Sequence, residues 1–238
     1  MTDFKKKFDR VFVTGDIHGD MNDLASRVAY IGGTTKDDLL ILLGDIGFFY
    51  SVYFGKQNKD FERQKWAAEL PITLLCIQGN HEQPFNEMTA EKIKLLGGDG
   101  YESNGIYFAA NGTTLNINGK KCLVVGGAYS VDKPWRLERG NAWWEGEELS
   151  DAELDRIFDA VKGQEFDWVL THTCPLNFMP REMFLSYVDQ SKVENRTENA
   201  LQRIHDTIDF DHWYCGHFHA DKVDGKVELF YRSVKQIA

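Results

Sequence analysis

The sequence has no CxxC pair, no apolar run long enough to cross a bilayer, no low-complexity tract and no excess of basic residues. Each absence excludes a class. The four cysteines (Cys76, Cys122, Cys174, Cys215) lack the spacing of a zinc ribbon or a redox pair, and three fall in predicted strands, so they read as reduced and buried. Lys5-Lys6-Lys7 precedes an apolar stretch that stops at Gly15-Asp16, too short for a signal h-region or a membrane span. The expectation is a cytoplasmic protein with no membrane partner. A net charge of −10 argues against a surface that wraps nucleic-acid backbone, because such surfaces carry basic stripes. The bare count overstates the charge if Asp16 and Asp45 hold divalent cations.

What the chain does contain is 238 residues with 42% apolar and 27% charged content, without linker or repeat. That composition predicts one domain over 1–238 with a substantial core. Five apolar segments end in polar, metal-ligating clusters. Val11 to Thr14 runs into Gly15-Asp16-Ile17-His18, and Leu40 to Leu43 into Gly44-Asp45. Leu74 to Ile77 leads to Gly79-Asn80-His81-Glu82, Trp168 to Leu170 to Thr171-His172, and Trp213 to Cys215 to Gly216-His217-Phe218-His219. Buried strands of α/β sheets read as continuous apolar runs, and ligands gather at their carboxyl ends, so the five clusters should meet at one point. Five of the seven histidines fall in these clusters, while His205 and His212 do not and read as structural. In extended backbone, residues i and i+2 share a side, so Asp16 with His18 and His217 with His219 can each face a common centre.

The intervening segments predict the architecture. Leu24, Val28 and Ile31 recur at helical spacing after the first strand, completing a parallel βαβ unit with the Leu39 to Leu43 strand. Helical patterns recur over Phe61 to Leu70, Glu87 to Leu96, Ser150 to Lys162 and Glu198 to Ile208, with Ser150 and Glu153 matching a capping box. Short strands follow at Tyr107 to Ala109, Thr113 to Ile117 and Lys121 to Val125, the last two joined by an Asn118-Gly119 hairpin turn, and a final strand is read at Lys226 to Arg232. Residues 128–150 show no periodicity and read as a long irregular loop. Phe48, Phe49, Tyr50, Tyr53 and Phe54 form an aromatic group that suits loop packing or, alternatively, a platform for a nucleobase. Trp135, Trp143 and Trp144 suit either a pocket wall or an anchor for the long loop. The fold class is therefore α/β (α+β by some schemes): a two-layer mixed β-sheet sandwich flanked by helices.

Taken in order, Asp16-x-His18, Gly44-Asp45, Gly79-Asn80-His81-Glu82, a lone His172 and Gly216-His217-x-His219 resemble the calcineurin-like metallophosphoesterase superfamily, and the resemblance runs from Asp16 to His219. It implies a metallophosphoesterase fold and two divalent metal ions, with Asp16, His18 and His219 on one, Asn80, His172 and His217 on the other, and Asp45 bridging both. Oxygen and imidazole ligands without thiolate fit Mn, Fe, Zn, Ni or Co. The resemblance further implies hydrolysis of a phosphate ester by in-line attack of a metal-bridging hydroxide, with His81 as general acid and Asp45 essential to the metal pair.

One branch, the protein phosphatases, continues the second motif as G-D-x-x-D-R-G. Here Phe48 and Phe49 occupy the positions of that Asp and Arg. With those groups missing, Arg136, Arg139 and Lys133 in the irregular loop are the candidates to grip substrate phosphate. The expected substrate is a small phosphate ester or nucleotide, either monoester or diester. A serine/threonine phosphatase-like monoesterase and a non-catalytic scaffold of the same fold are the alternatives.

Overall fold

The computed structural model describes residues 1–50, 59–86, 89–140, 143–184 and 186–238. In chain order the elements are β1 (Asp3–Phe4), β2 (Val11–Thr14), α1 (Met21–Ile31), β3 (Leu39–Leu42), α2 (Asp60–Ala68) and β4 (Thr73–Cys76). There follow β5 (Glu91–Leu95), β6 (Gly98–Ser103), β7 (Ile106–Ala109), β8 (Thr114–Ile117), β9 (Lys120–Val125) and α3 (Lys133–Glu138). The chain continues through α4 (Asp151–Val161), β10 (Glu165–Thr171), α5 (Arg196–His205), β11 (Asp209–Cys215), β12 (Lys222–Asp224), β13 (Val227–Leu229) and β14 (Val234–Gln236).

The strands form two mixed sheets, ordered β1-β5-β6-β7-β4-β3-β2-β14 and β12-β13-β11-β10-β9-β8. The centre of each is parallel: β2, β3, β4 and β7 in the first, β9, β10, β11 and β13 in the second. Their apolar runs are continuous because both faces are covered. Val11, Val13, Leu39 and Ile41 point inward to meet Cys122, Val124, Trp168 and Leu170 of the opposite sheet. The alternate residues Phe12, Leu40 and Leu42 point outward to Leu24 and Val28 of α1. Leu123, Val169 and Trp213 likewise meet Leu154 of α4 and Leu201 and Ile204 of α5. Helix, sheet, sheet, helix is thus dictated by which strand residues are apolar on both faces. None of the described helices is long and apolar enough to cross a membrane.

Local signals explain the boundaries. Ser150 accepts from the Glu153 amide while the Glu153 side chain accepts from the Ser150 amide, which fixes the start of α4. Asn118 and Gly119 both have positive φ (54° and 89°), as the tight β8–β9 hairpin requires. The helix expected over Glu87 to Leu96 is instead strand β5, with residues 87 and 88 outside the described set. The reason is a period of two: Ile93 and Leu95 are buried while Lys92 and Lys94 are exposed. Leu96 and Gly97, with φ of 49° and 87°, then turn the chain back into β6. The last expected strand, Lys226 to Arg232, is ordered as β13 alone, with β12 and β14 on either side. The loop at 128–150 contains the short helix α3 and a 3-10 turn at Glu145–Glu147. All four cysteines are buried and free.

Candidate metal centre

The carboxyl ends of β2, β3, β4, β10 and β11 lie side by side in the two sheets, and the loops beyond them bring Asp16, His18, Asp45, Asn80, His172, His217 and His219 into one cluster. Asp16, His18 and His219 place one ligand atom each within 4.8 Å of one another, as do Asp16, Asp45 and His172. Asn80 Oδ1 joins the remaining pair, at 2.8 Å from His172 Nε2 and 3.0 Å from His217 Nδ1. His18 Nε2 and His219 Nε2 face each other at 2.9 Å.

These side chains do not converge through extended backbone. Among the described non-glycine residues, seven have positive φ, and four of them are His18 (51°), Asp45 (50°), His217 (70°) and His219 (50°). Each loop therefore turns sharply just after its strand and swings the side chain toward the centre. Left-handed backbone away from glycine is held only where its surroundings enforce it. Here the restraints are visible. The amides of Ile17 and His18 donate to the Asp45 carbonyl, and that of His217 to Asp16 Oδ1 at 3.0 Å. The His81 amide donates to Asp45 Oδ1 at 2.9 Å.

A surrounding set of polar groups fixes the loops. The buried Arg27 guanidinium, from α1, donates to the carbonyls of Gly15, Asp16 and Tyr231 and to Thr14 Oγ1. Glu82 accepts from the amides of Gly47 and Gly79, tying the β3 and β4 loops together. Ser130 accepts from Asn80 Nδ2 at 2.8 Å, which leaves the Asn80 carbonyl oxygen facing the histidines. His172 Nδ1 lies 2.7 Å from the Leu43 carbonyl; donation there leaves Nε2 as the lone-pair nitrogen. Tyr50 Oη is 3.0 Å from His18 Nδ1. Of these, Arg27 was detectable as a charge on the apolar stripe of α1. Ser130 carries no local signal.

The electrostatics fit a cation site. Burial opposes ionisation of Asp16, yet contacts with His18 and His219, with a further electrostatic contribution from His172, hold its carboxyl well below the usual range. Burial likewise opposes ionised Asp45, and His172, His81 and His18 outweigh it. His18, though burial opposes its charging, is raised to about 9 by Asp16 and Asp45. His217 is driven down to about 3, chiefly by burial and by His172, and so stays neutral as a ligand must. Asp16 Oδ2 is buried without a hydrogen-bond partner, although His219 Nε2 is 3.3 Å away. An ionised oxygen orphaned in a buried cluster of imidazole nitrogens is the chemistry of a divalent-metal ligand set. His81 stands beside this set: its ring centroid is 5.5 Å from that of His18. Burial keeps its pKa below the ordinary imidazole value, against the pull of Asp45 and Asp132.

The expected phosphate-gripping residues are placed differently. Arg136 has 0% of its side chain exposed and is paired with Glu147 (3.0 Å) and Asp132 (3.1 Å), so it braces the 128–150 loop from within rather than facing solvent. The Lys133 ammonium lies over Trp143, and the Arg139 guanidinium over Trp135, on the outer side of the same loop. Trp143 Nε1 donates to Glu147, making that tryptophan a loop anchor. Phe48 and Phe49 are buried against Phe85 and Phe108, which favours packing over a base platform; Tyr53 and Phe54 lie outside the described residues. His205 packs on Phe178 and Phe210, and His212 on Tyr214, away from the cluster.

Near the cluster, Glu198 of α5 accepts from Thr173 Oγ1 and is pushed up to about 7, chiefly by burial. Because the folded carboxyl keeps a proton that the unfolded chain loses near pH 4.5, its contribution to stability is present below that pH and lost as pH rises through about 7. Glu198→Gln stays neutral throughout. Urea unfolding of metal-free protein should therefore give equal stabilities for the two at pH 4.5 and a variant more stable by roughly 1–3 kcal/mol at pH 8.

Comparison with known proteins agrees with this geometry. Lariat debranching enzyme of Saccharomyces cerevisiae is 26% identical over 148 residues, which are 57% of this chain and 34% of that protein, so the match spans about a third of the relative's length. The family profile described as calcineurin-like phosphoesterase matches residues 9–221, from just before β2 to beyond His219. With that span and the ligand cluster at its strand ends, the chain belongs to the calcineurin-like phosphoesterase family.

Proposed function

We propose that this protein is a binuclear metal-dependent phosphoesterase in which residues 1–238 work as one domain. The observation that carries the reading is the convergence of seven oxygen and imidazole donors, one of them an orphaned buried carboxylate oxygen, with His81 at their edge. Asp16, His18 and His219 would hold one divalent cation and Asn80, His172 and His217 the other, with Asp45 shared; Mn, Fe, Zn, Ni and Co all suit such donors. When bound, the pair supplies Lewis acidity toward phosphoryl oxygens and acidifies water for attack on phosphorus.

The chain's own residues supply the rest. Asp45 sets the spacing of the two ligand groups and, through the His81 amide, the position of the acid. His81 delivers a proton to the departing oxygen. Arg27, Glu82 and Ser130 hold the loops so that the donors need not reorganise as charge develops. Lys133 and Arg139 remain available at the loop surface for an extended substrate, whereas the Arg136 charge acts from inside the loop. The debranching activity in the yeast relative's name favours an enzyme over a scaffold. Four free, buried thiols suit a reducing compartment such as the cytoplasm.

The test uses metal-stripped protein reloaded with Mn and, in parallel, the other candidate metals, with a monoester and a diester of the same phenol as substrates. Wild type should hydrolyse at least one ester. His81→Ala should lower kcat by about 10²–10⁴ for a phenolate leaving group and by less for p-nitrophenolate, which needs less protonation. A wild type inert toward both esters with every metal, or a His81→Ala loss independent of the leaving group, rejects the respective part of the reading.

A further inference from the structure

The donors of the metal centre are not equally held by the protein around them. In the group of Asn80, His172 and His217, the His172 side chain is 0% exposed and Asn80 2%. Burial keeps those two in place, with the Leu43 carbonyl and Ser130 as their partners. In the group that includes Asp16, the His18 and His219 side chains are 32% and 47% exposed, so each imidazole has solvent to turn into. A ligand that must be ordered as the ion arrives costs affinity, so these two rings need a restraint other than burial.

Two tyrosines supply it, and neither belongs to the motifs that mark the ligands. Tyr50 Oη lies 3.0 Å from His18 Nδ1, while His18 Nε2 faces Asp16 and Asp45 at 3.7 and 3.8 Å. With the proton on Nδ1 and Tyr50 Oη accepting it, the lone pair of Nε2 points into the centre. His219 is held by a face instead. Its ring lies on that of Tyr231 with centroids 4.4 Å apart and planes 12° from parallel, and its Nε2 is 3.3 Å from Asp16 Oδ2. Tyr231 is fixed in turn through its backbone: the amide donates to Asp221 Oδ1 at 2.9 Å and the carbonyl accepts from Arg27 at 2.7 Å. Arg27 also donates to the Asp16 carbonyl at 2.9 Å, so one guanidinium ties the platform under His219 to the loop that carries Asp16 and His18.

From this geometry we infer that Tyr50 and Tyr231 are the positioning residues of the exposed half of the centre, setting how tightly Asp16, His18 and His219 hold a divalent cation while leaving the half built on Asn80, His172 and His217 unaffected. The inference rests on the binuclear reading and adds two residues to it. Tyr50 acts through the Nδ1 proton of His18, and Tyr231 through the plane of the His219 ring.

The experiment titrates metal-free protein with Mn by calorimetry, so the readout is binding and not turnover. Wild type should take up two equivalents. Tyr50→Phe, which keeps the ring and removes the oxygen, should weaken one equivalent by about tenfold or more, as loss of the outer partner of a ligating histidine does. Tyr231→Leu should weaken one equivalent to a similar degree. Its main-chain bonds to Asp221 and Arg27 survive the substitution, so the loss reports on the ring alone. Tyr231→Phe, which restores the stacking face, should bind within about threefold of wild type. The double variant Tyr50→Phe/Tyr231→Leu should still hold one equivalent with wild-type affinity, which shows that both tyrosines act on the same ion. In a His18→Ala background Tyr50→Phe should change the affinities by no more than about twofold, because its route to the metal is gone. Loading with Co adds a spectroscopic signature: ring N–H protons of ligating histidines shift far outside the ordinary proton NMR range, and one such signal should vanish by solvent exchange in Tyr50→Phe while persisting in Tyr231→Phe. Wild-type binding of both equivalents by Tyr50→Phe and Tyr231→Leu overturns the assignment, as does a Tyr231→Phe as weak as Tyr231→Leu or a double variant that loses both ions. A wild type that binds fewer than two ions overturns the binuclear reading itself, an outcome seen before any variant is compared.

Discussion

Asp45→Asn should lower kcat/KM by about 10³-fold or more and reduce the metal retained after gel filtration, while leaving the fold intact. The substitution is isosteric, so packing at this fully buried site is preserved. Its amide oxygen can still accept from the His81 amide, as Oδ1 now does at 2.9 Å. What is lost is the negative charge. Oδ1 lies 3.7 Å from His172 Nε2 and Oδ2 3.8 Å from His18 Nε2, so this one carboxylate stands between the two ligand groups. Two dications brought close together repel, and a shared anion offsets that repulsion in a buried setting where water screens little. Removing it should expel the more weakly held ion first, giving metal content measured by elemental analysis near half that of wild type. On the proposed roles this loss should lie in the upper part of the range expected for His81→Ala, because a proton could reach the leaving oxygen from water, whereas no other group would replace a shared Asp45. Full metal content with activity within tenfold of wild type would contradict the bridging role.

How much of this was legible in the sequence follows from the physics of each element. The parallel strands were readable because burial on both faces forces long apolar runs such as Leu39 to Leu43, and their polar ends marked the site. Strand β5 was not, because Leu95-Leu96 closes a segment whose alternation spans only Ile93 to Leu95, too short to outweigh a helical pattern drawn from Glu87. The residue types of the cluster were visible, but the way they converge was not: the left-handed turns at His18, Asp45, His217 and His219 are imposed by hydrogen bonds between loops far apart in sequence. Arg136 illustrates the limit of composition. A loop arginine is ordinarily solvated, and only the tertiary placement of Glu147 and Asp132 turns this one inward. Ser130 supports the centre through a contact that no spacing encodes, and although Arg27 stands out as a charge on the α1 stripe, its partners are set only by the tertiary structure.

Gly79→Ala tests whether the two central strand ends must touch for the site to exist. A Cβ on Gly79 would fall 2.0 Å from Asp45 Oδ1, 2.1 Å from its amide nitrogen and 2.8 Å from its Cα. Two of those atoms are backbone, so no rotamer change relieves the clash; the loop after β4 must move away from the loop after β3. That movement breaks the Glu82 contacts to the Gly47 and Gly79 amides and shifts Asn80 and His81, the next two residues, away from Asp45. Overpacking of a buried contact typically costs about 1–3 kcal/mol, and here backbone displacement puts the expectation near ~3 kcal/mol. Displacement of His81 and Asn80, the proposed acid and a proposed metal ligand, by even about 1 Å should reduce activity by 10²-fold or more. Gly119→Ala is the control. Its φ of 89° makes alanine strained, but no atom lies within 4 Å of the added Cβ, so it should lower stability by about 1 kcal/mol with kcat/KM unchanged. Activity lost in both variants in proportion to stability would mean that the site simply follows global unfolding. Activity lost in Gly79→Ala alone, at a temperature where circular dichroism shows both variants folded, would mean that the contact between the β3 and β4 loops is itself part of the catalytic geometry.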